Sequence, residues 1–274
     1  MAKKTKPDTP AASSKRLTIS AFAKMKKKGQ KITMLTAYDF TMARLLDQSG
    51  VDMLLVGDSL AMVVQGHDNT LPVTLDEMIY HAEMVGRAAK RAFVVVDLPF
   101  PINHQGVYQT VMAAGRILKE SRCQAVKLEG GADQADVIEA LVIAGIPVMA
   151  HVGLRPQTVH AMGGYKIQRD LNELVNDAKA AQDAGAFAVV VECVPAAMGK
   201  ALTEQLAIPT IGIGAGPDCD GQVLVCNDML GINGDYVPSF VKAYADLGNT
   251  IEAAAKKWCK EVRQVEFPDA DHSF

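Results

Sequence analysis

The stretches that decide the fold are MLLVGDS at residues 53–59 and FVVVDLPF at 93–100. Each is a short apolar run that stops abruptly on a carboxylate, Asp58 or Asp97. An unpaired buried carboxylate costs several kcal/mol or takes up a proton, so two buried strands ending this way need a reason. Six further runs share the form: ITMLTAYD (32–39), AVKLEGG (125–131), PVMAHVGL (147–154), AVVVECVP (188–195), PTIGIGAG (209–216) and VLVCNDM (223–229). Between them lie mixed segments at 75–89, 108–119, 133–144, 172–184 and 196–206, whose Ala, Leu, Met and Glu recur at helical spacing.

Strands that are apolar almost throughout, alternating with helices, predict a parallel sheet covered by helices. Eight such units in one chain predict an α/β fold closed as a (β/α)8 TIM barrel. A doubly wound open sheet is the alternative, because the gap between the seventh and eighth runs is too short for a full helix. The segment 235–260 is expected to supply the closing helix or helices, and no Gly/Ser-rich linker marks a second domain. The expected organisation is a disordered N-terminal tail over 1–14, a single barrel domain over 15–265 and a C-terminal tail over 266–274.

Composition bounds the function. The 274 residues are 49% hydrophobic and 22% charged, with a formal net charge of -3. That balance offers no general attraction to nucleic acid or an anionic membrane, and no basic-aromatic interleaving of the single-strand-binding kind occurs. The basic start MAKKTK is followed by no apolar signal core, and no run reaches the 18 apolar residues or so of a membrane span. A cytoplasmic enzyme with neither nucleic-acid nor membrane partners is expected. The five cysteines, Cys123, Cys193, Cys219, Cys226 and Cys259, form no CxxC pair and read as reduced thiols.

In parallel barrels ligands sit beyond the carboxyl ends of the strands. Here the runs end on Asp39, Asp58 with Ser59, Asp97, Lys127 with Glu129, His151, Glu192, the glycines of GIGAG, and Asp228. Asp58 and Asp97 fall on adjacent strands, roughly 5 Å apart. Carboxylates that close share a proton or a cation, and hard oxygens without a Cys or His cluster point to Mg²⁺. The alternatives are that Asp58 caps the next helix and that Asp97 pairs with a basic residue.

Ser59 either caps a helix or binds an anion. Lys127 and Glu129 alternate by two and so share one face, either as a structural pair or with Lys127 holding a substrate carboxylate or developing oxyanion. Glu192 follows four apolar residues and is either a desolvated general base with a raised pKa or a structural carboxylate satisfied by neighbouring backbone or a lysine. His151 either hydrogen-bonds substrate or satisfies its strand end. The GIGAG glycines are neither a full GxGxxG nor a P-loop, GGYK at 163–166 lies in a long excursion after the fifth strand, and Trp258 reads as a packing or subunit-contact residue.

The strings GDSLAMVVQGHDNTLPVTLDEMIYH (57–81), VVVDLPF (94–100), AVKLEGG (125–131), HVGLRPQTVHAMGGYKIQ (151–168), VVVECVP (189–195) and IPTIGIGAGPDCDGQVLV (208–225) together resemble the ketopantoate hydroxymethyltransferase family, in one colinear order over about residues 15–265. The resemblance implies a barrel of the phosphoenolpyruvate/pyruvate-like superfamily. It implies transfer of a one-carbon unit from 5,10-methylenetetrahydrofolate to 3-methyl-2-oxobutanoate, forming 2-dehydropantoate for pantothenate synthesis through a Mg²⁺-stabilised enolate. By resemblance, Asp58 and Asp97 bind the metal, and Glu129 joins them through water. Asp58, Ser59, Asp97, Lys127 and His151 contact the keto acid, and Glu192 is the base. A homo-oligomer, often a decamer, is implied in the same way. The sequence departs from the family's usual form at Arg169, at Cys226-Asn227 and in the loop PINHQGVYQT. A related Mg²⁺-dependent carbon-carbon lyase or aldolase acting on 2-oxo acids is the alternative activity, and a catalytically silent barrel used for binding is a third.

Overall fold

In the computed structural model, which describes residues 15–232 and 237–274, the chain divides into two compact units, one ending at Leu224 and one beginning at Val225. The tail expected at 1–14 lies outside the described residues. In the first unit α1 (Ile19–Lys27) precedes β1 (Ile32–Thr36), α2 (Phe40–Gln48), β2 (Met53–Val56), the short α3 (Leu60–Val63), α4 (Leu75–Ala88), β3 (Phe93–Asp97) and α5 (Val107–Ser121). The chain continues through β4 (Ala125–Glu129), α6 (Ala135–Ile143), β5 (Val148–Gly153), the short α7 (Val159–Met162), α8 (Leu171–Asp183), β6 (Ala188–Glu192), α9 (Ala196–Gln205), β7 (Thr210–Ile213) and β8 (Gly221–Leu224). All eight strands are parallel and follow sequence order around a closed barrel, with β8 pairing back onto β1. Every strand therefore has two neighbours, which excludes the open doubly wound sheet.

The five expected helices form within a few residues of their predicted limits, and local chemistry sets their starts. Thr74 and Glu77 make a reciprocal capping box at α4: the Thr74 hydroxyl accepts from Glu77 N–H, and the Glu77 carboxylate accepts from Thr74 N–H at 2.7 Å. Asp170 accepts from Glu173 N–H at 3.0 Å and starts α8 in the same sense. As the short gap predicts, β7 and β8 are joined by turns without a helix.

The eighth strand differs from its sequence reading. It runs from Gly221 to Leu224, and Cys226–Leu230 is helical, so Asp228 is not a strand end. The ladder with β1 has the same limits: Ile32 pairs with Gly221 and Leu35 with Leu224, and Thr36, the last residue of β1, pairs with β2 alone. Gly221 is required there, because a Cβ would stand 2.5 Å from the Ile32 carbonyl oxygen. A side chain at 221 would push β8 off β1 and open the barrel.

Inward-facing side chains alternate along each strand and form a single apolar cluster. It contains Ile32 and Met34, Met53 and Leu55, Phe93 and Val95, Ala125, Met149, Ala188 and Val190, Ile211 and Val223. Phe22 of α1 joins it, fully buried, its ring edge-on to Phe93 with centroids 5.5 Å apart. Phe93 in turn meets Phe187 at 5.6 Å. Since Phe93 is the first residue of β3, α1 closes the barrel at the amino ends of its strands.

The second unit contains α10 (Cys226–Leu230) and α11 (Leu247–Arg263). The Gly231 N–H donates to Asp228 O at 3.2 Å, ending α10, and Thr250 Oγ1 donates to Asp246 O at 2.8 Å at the start of α11.

Replacing Phe22 by alanine removes this plug and leaves a cavity between α1 and Phe93. The expected cost is about 3–5 kcal/mol, read as a lower urea midpoint.

Candidate active site

The parity that fills the barrel with apolar groups also builds the site. Val95, Ala125, Met149 and Val190 belong to the apolar interior, and two residues further along each strand on the same face stand Asp97, Lys127, His151 and Glu192. Glu129 is two beyond Lys127. The ladders align these groups: Asp97 pairs with Lys127, Glu129 with His151 and Gly153 with Glu192. The polar residues are thus the next layer above the hydrophobic plug, at the carboxyl ends of the strands.

Lys127 is the hub. Its Nζ lies 3.1 Å from Asp97 Oδ1 and donates to His151 Nδ1 at 3.2 Å. The Asp97 contact is an ion pair by distance, yet Oδ1 is not aligned as a hydrogen-bond acceptor in this buried position. Because an ammonium only donates, Nδ1 of His151 accepts and the ring proton resides on Nε2. Nε2 faces Glu192 Oε2 at 3.2 Å, again close without hydrogen-bond alignment. Glu129 Oε1 is 3.9 Å from His151 Nδ1.

Asp58 lies two residues past the end of β2, in the turn before α3. Its backbone N–H donates to Asp97 Oδ2 at 3.0 Å, tying the two acidic residues together. Its side chain does not cap α3, whose first flanking residue is Ser59, and the Ser59 hydroxyl makes no capping bond either. Ser59 Oγ lies 2.9 Å from the Tyr38 hydroxyl. Asp97 does pair with a base, Lys127, as one sequence reading had it.

Charge is unbalanced in this layer. Four carboxyl groups, from Asp58, Asp97, Glu129 and Glu192, converge on one lysine. Burial pushes Asp58 up to about 7, with Asp97 adding to the effect. Burial and then Asp58 hold Glu129 well above the usual carboxylate range. Glu192 is pushed up to about 7 by burial, against the pull of Lys127. Burial opposes the charge of Lys127, but Asp97, Glu129 and Asp58 outweigh it and keep the ammonium protonated. His151 is held well below its ordinary value by burial and then by Lys127, so it is neutral.

Among the described residues no group of three or more His, Cys, Asp or Glu side chains is spaced to hold a metal ion. Asp58, Asp97 and Glu129 are therefore not a ready-made three-ligand cage, and Glu129 Oε2 is already engaged by the Gln157 N–H at 2.9 Å. What the layer does offer is two linked, buried carboxylates, an unaligned Asp97 oxygen and surplus negative charge. That donor set fits a Mg²⁺ ion, which binds through one or two carboxylates and completes its octahedron with water and substrate oxygens.

Several residues of the site carry no strong sequence signal. Gln157 binds both Glu129 and Asp58. Asn103, 2% exposed, donates to the Glu129 carbonyl at 3.2 Å. Tyr165, in the GGYK string, has its phenol held above its usual value by burial and then by Glu192, Asp58 and Glu129, and its hydroxyl lies 4.0 Å from Met62 Sδ of α3. The excursion carrying it is fastened to β6 by Leu154 N–H to Glu192 O and Gln168 N–H to Cys193 O, both 2.9 Å. Gly153 makes the first of these possible, with φ +89° and no room for a Cβ, which would lie 2.3 Å from Glu192 O.

Comparison with known proteins shows the family from sequence and the fold from structure. The family model for ketopantoate hydroxymethyltransferase matches residues 16–270. A 3-methyl-2-oxobutanoate hydroxymethyltransferase from Rhodopirellula baltica is 58% identical over 94% of this chain and 96% of its own length. The one from Syntrophus aciditrophicus is 53% identical over 95% and 97%. Among solved structures, 2,3-dimethylmalate lyase, a member of the PEP mutase/isocitrate lyase superfamily, shares the fold with a TM-score of 0.58 at 18% identity, over 93% of this chain and 91% of that one. Phosphonopyruvate hydrolase in complex with oxalate and Mg²⁺ does so with a TM-score of 0.61 at 12% identity, over 93% and 92%. By the family match and by identity along nearly its whole length, this barrel enzyme belongs to the ketopantoate hydroxymethyltransferase family.

Proposed function

We propose that the chain transfers a hydroxymethyl group from 5,10-methylenetetrahydrofolate to 3-methyl-2-oxobutanoate, forming 2-dehydropantoate for pantothenate synthesis, with Mg²⁺ as its metal. The observation that carries this reading is the convergence of Glu192, Lys127, Asp97 and Asp58 in one layer above the barrel plug. Support for the metal comes from the surplus of carboxyl groups and from the fold neighbour solved in complex with oxalate and Mg²⁺. Oxalate, like a 2-oxo acid, presents oxygens on adjacent carbons.

In this proposal Asp58 and Asp97 would hold Mg²⁺, with Glu129 joining them through water. When bound, the metal polarises the 2-oxo carbonyl and makes the C3 proton more acidic. Lys127 directs its ammonium at negative charge on the keto acid, and Ser59, oriented by Tyr38, donates its hydroxyl to the same substrate. His151 accepts a hydrogen bond from Lys127 on Nδ1 and turns its Nε2–H toward Glu192, which biases the Glu192 carboxylate toward one position. Glu192 removes the C3 proton. One carbon–nitrogen bond of the folate methylene opens to an iminium, water adds to that carbon and the second carbon–nitrogen bond breaks, so that both folate nitrogens end protonated. C3 bonds to the released one-carbon unit, whose water-derived oxygen takes up a proton as the product hydroxyl.

By the family match, the chain is further proposed to self-associate as a homo-oligomer. The long excursion after β5, tied to the end of β6 at Glu192 and Cys193 and carrying Tyr165 toward Met62 of α3, supports its role as a cover for the site.

Three outcomes test the reading. Glu192→Gln is expected to bind 3-methyl-2-oxobutanoate as tightly as the parent while hydrogen–deuterium exchange at C3, followed by NMR, falls by roughly 100-fold or more. Near-normal exchange would remove Glu192 as the base. Chelation of divalent cations is expected to stop exchange, whereas omission of methylenetetrahydrofolate is expected to leave exchange intact and stop product formation. Product formed at full rate without folate would replace this function with a lyase.

The third outcome is a pH dependence. A base pushed up to about 7 makes exchange rise with pH and level off above that value. The native carboxyl of Glu192 also binds its proton more tightly than the unfolded chain, whose value is near 4.5. Stability without divalent cation is therefore full below about 4.5 and falls, by up to about 3 kcal/mol, as pH rises through about 7. Glu192→Gln is expected to flatten that fall in urea titrations.

A further inference from the structure

Gln157 lies in the single 3-10 turn Pro156–Thr158 that follows β5, and it is 6% exposed. Its backbone N–H donates to Glu129 Oε2 at 2.9 Å. Its side-chain Nε2 donates to Asp58 Oδ2 at 2.8 Å and to the Leu98 carbonyl at 3.0 Å. Those two acceptors settle the orientation of the amide, since a reversed Gln157 would point Oε1 at a carboxylate oxygen and a carbonyl oxygen. The remaining atom, Oε1, is buried without a hydrogen-bond donor.

A merely structural glutamine in this turn would serve the turn. The excursion is instead fastened by other groups: Thr158 Oγ1 to Arg155 O at 2.9 Å, and Arg155 to Asp133 at 2.8 Å and Asp177 at 3.5 Å. Gln157 spends its donors on acidic groups carried by two different strand ends, Asp58 after β2 and Glu129 at the end of β4. An acceptor kept buried and unmet costs free energy unless a donor arrives with the ligands.

We propose that Gln157 is a positioning residue of the cation site: it holds the Asp58 and Glu129 carboxylates at one spacing, and its Oε1 accepts a hydrogen from water that enters with the divalent cation. This rests on the function proposed above, in which Asp58 and Glu129 serve Mg²⁺. Partners of this kind, which bind the ligands of a metal and not the metal itself, typically change its affinity by about 10- to 100-fold.

The test uses Gln157→Met, which keeps length and the backbone bond to Glu129 but removes the amide, and Gln157→Glu, which replaces the donor by an acceptor facing Asp58. Mg²⁺ is titrated calorimetrically into each full-length protein with saturating 3-methyl-2-oxobutanoate, and urea unfolding is followed without divalent cation. Both variants are expected to bind Mg²⁺ about 10- to 100-fold more weakly, with a smaller Mg²⁺-induced rise in unfolding midpoint. The cation-free midpoint of Gln157→Met is expected to fall only slightly, because the Leu98 carbonyl loses its donor, and its kcat to recover as Mg²⁺ is raised. Equal Mg²⁺ affinity in parent and Gln157→Met would overturn the role of Gln157 alone. A fall in the cation-free midpoint with unchanged affinity would do the same, by showing a purely structural glutamine. Failure of the parent protein to bind Mg²⁺ with the keto acid would instead overturn the functional reading.

Discussion

Asp97 and Lys127 face each other across the β3–β4 ladder, and the buried ion pair between them fixes the rest of the polar layer. A lysine in this position is tolerable only with anionic neighbours, because a lone buried ammonium would lose its proton. Once Lys127 is held, its remaining donors set the tautomer of His151, and that tautomer presents an N–H to Glu192. The order runs from one strand seam to the next: β3 to β4, β4 to β5, β5 to β6. Each step depends on register, so a slip of one residue at any seam would turn a polar side chain out of the barrel and an apolar one in.

The layer is costly as a piece of folded protein. Four carboxyl groups share one fixed cation, and the structure relieves the repulsion by holding protons on part of them, with Asp58 and Glu192 both near 7. A barrel selected for stability alone would put aliphatic side chains there, as it does one rung lower with Val95, Met149 and Val190. The change from apolar to acidic within two residues on the same face marks where packing stops and chemistry starts.

The barrel was legible in the sequence because strands buried on both faces read as unbroken apolar runs, and the carboxylates that ended them stood out against that background. The charged residues of the layer were legible for the same reason. Asp39 and Asp228 looked equivalent to them and are not: Asp39 accepts from Met42 N–H at the start of α2, and Asp228 lies within α10. A strand end and a helix cap both favour aspartate after an apolar residue, and only the ladder separates them. Gln157, Asn103 and Tyr38 went unread because uncharged polar residues in loops carry no charge signature. Their importance comes from which atoms they meet across the barrel mouth, 99 residues apart for Gln157 and Asp58, and one-dimensional spacing holds no trace of that distance.

The plug formed by Phe22 and the aromatic stack beneath it closes one end of the barrel. The polar layer therefore faces away from the plug, toward the carboxyl ends of the strands, and on the proposed reaction both substrates approach from that one side. The direction from which the site is reached is in this sense set by an amino-terminal helix at the opposite end of the barrel.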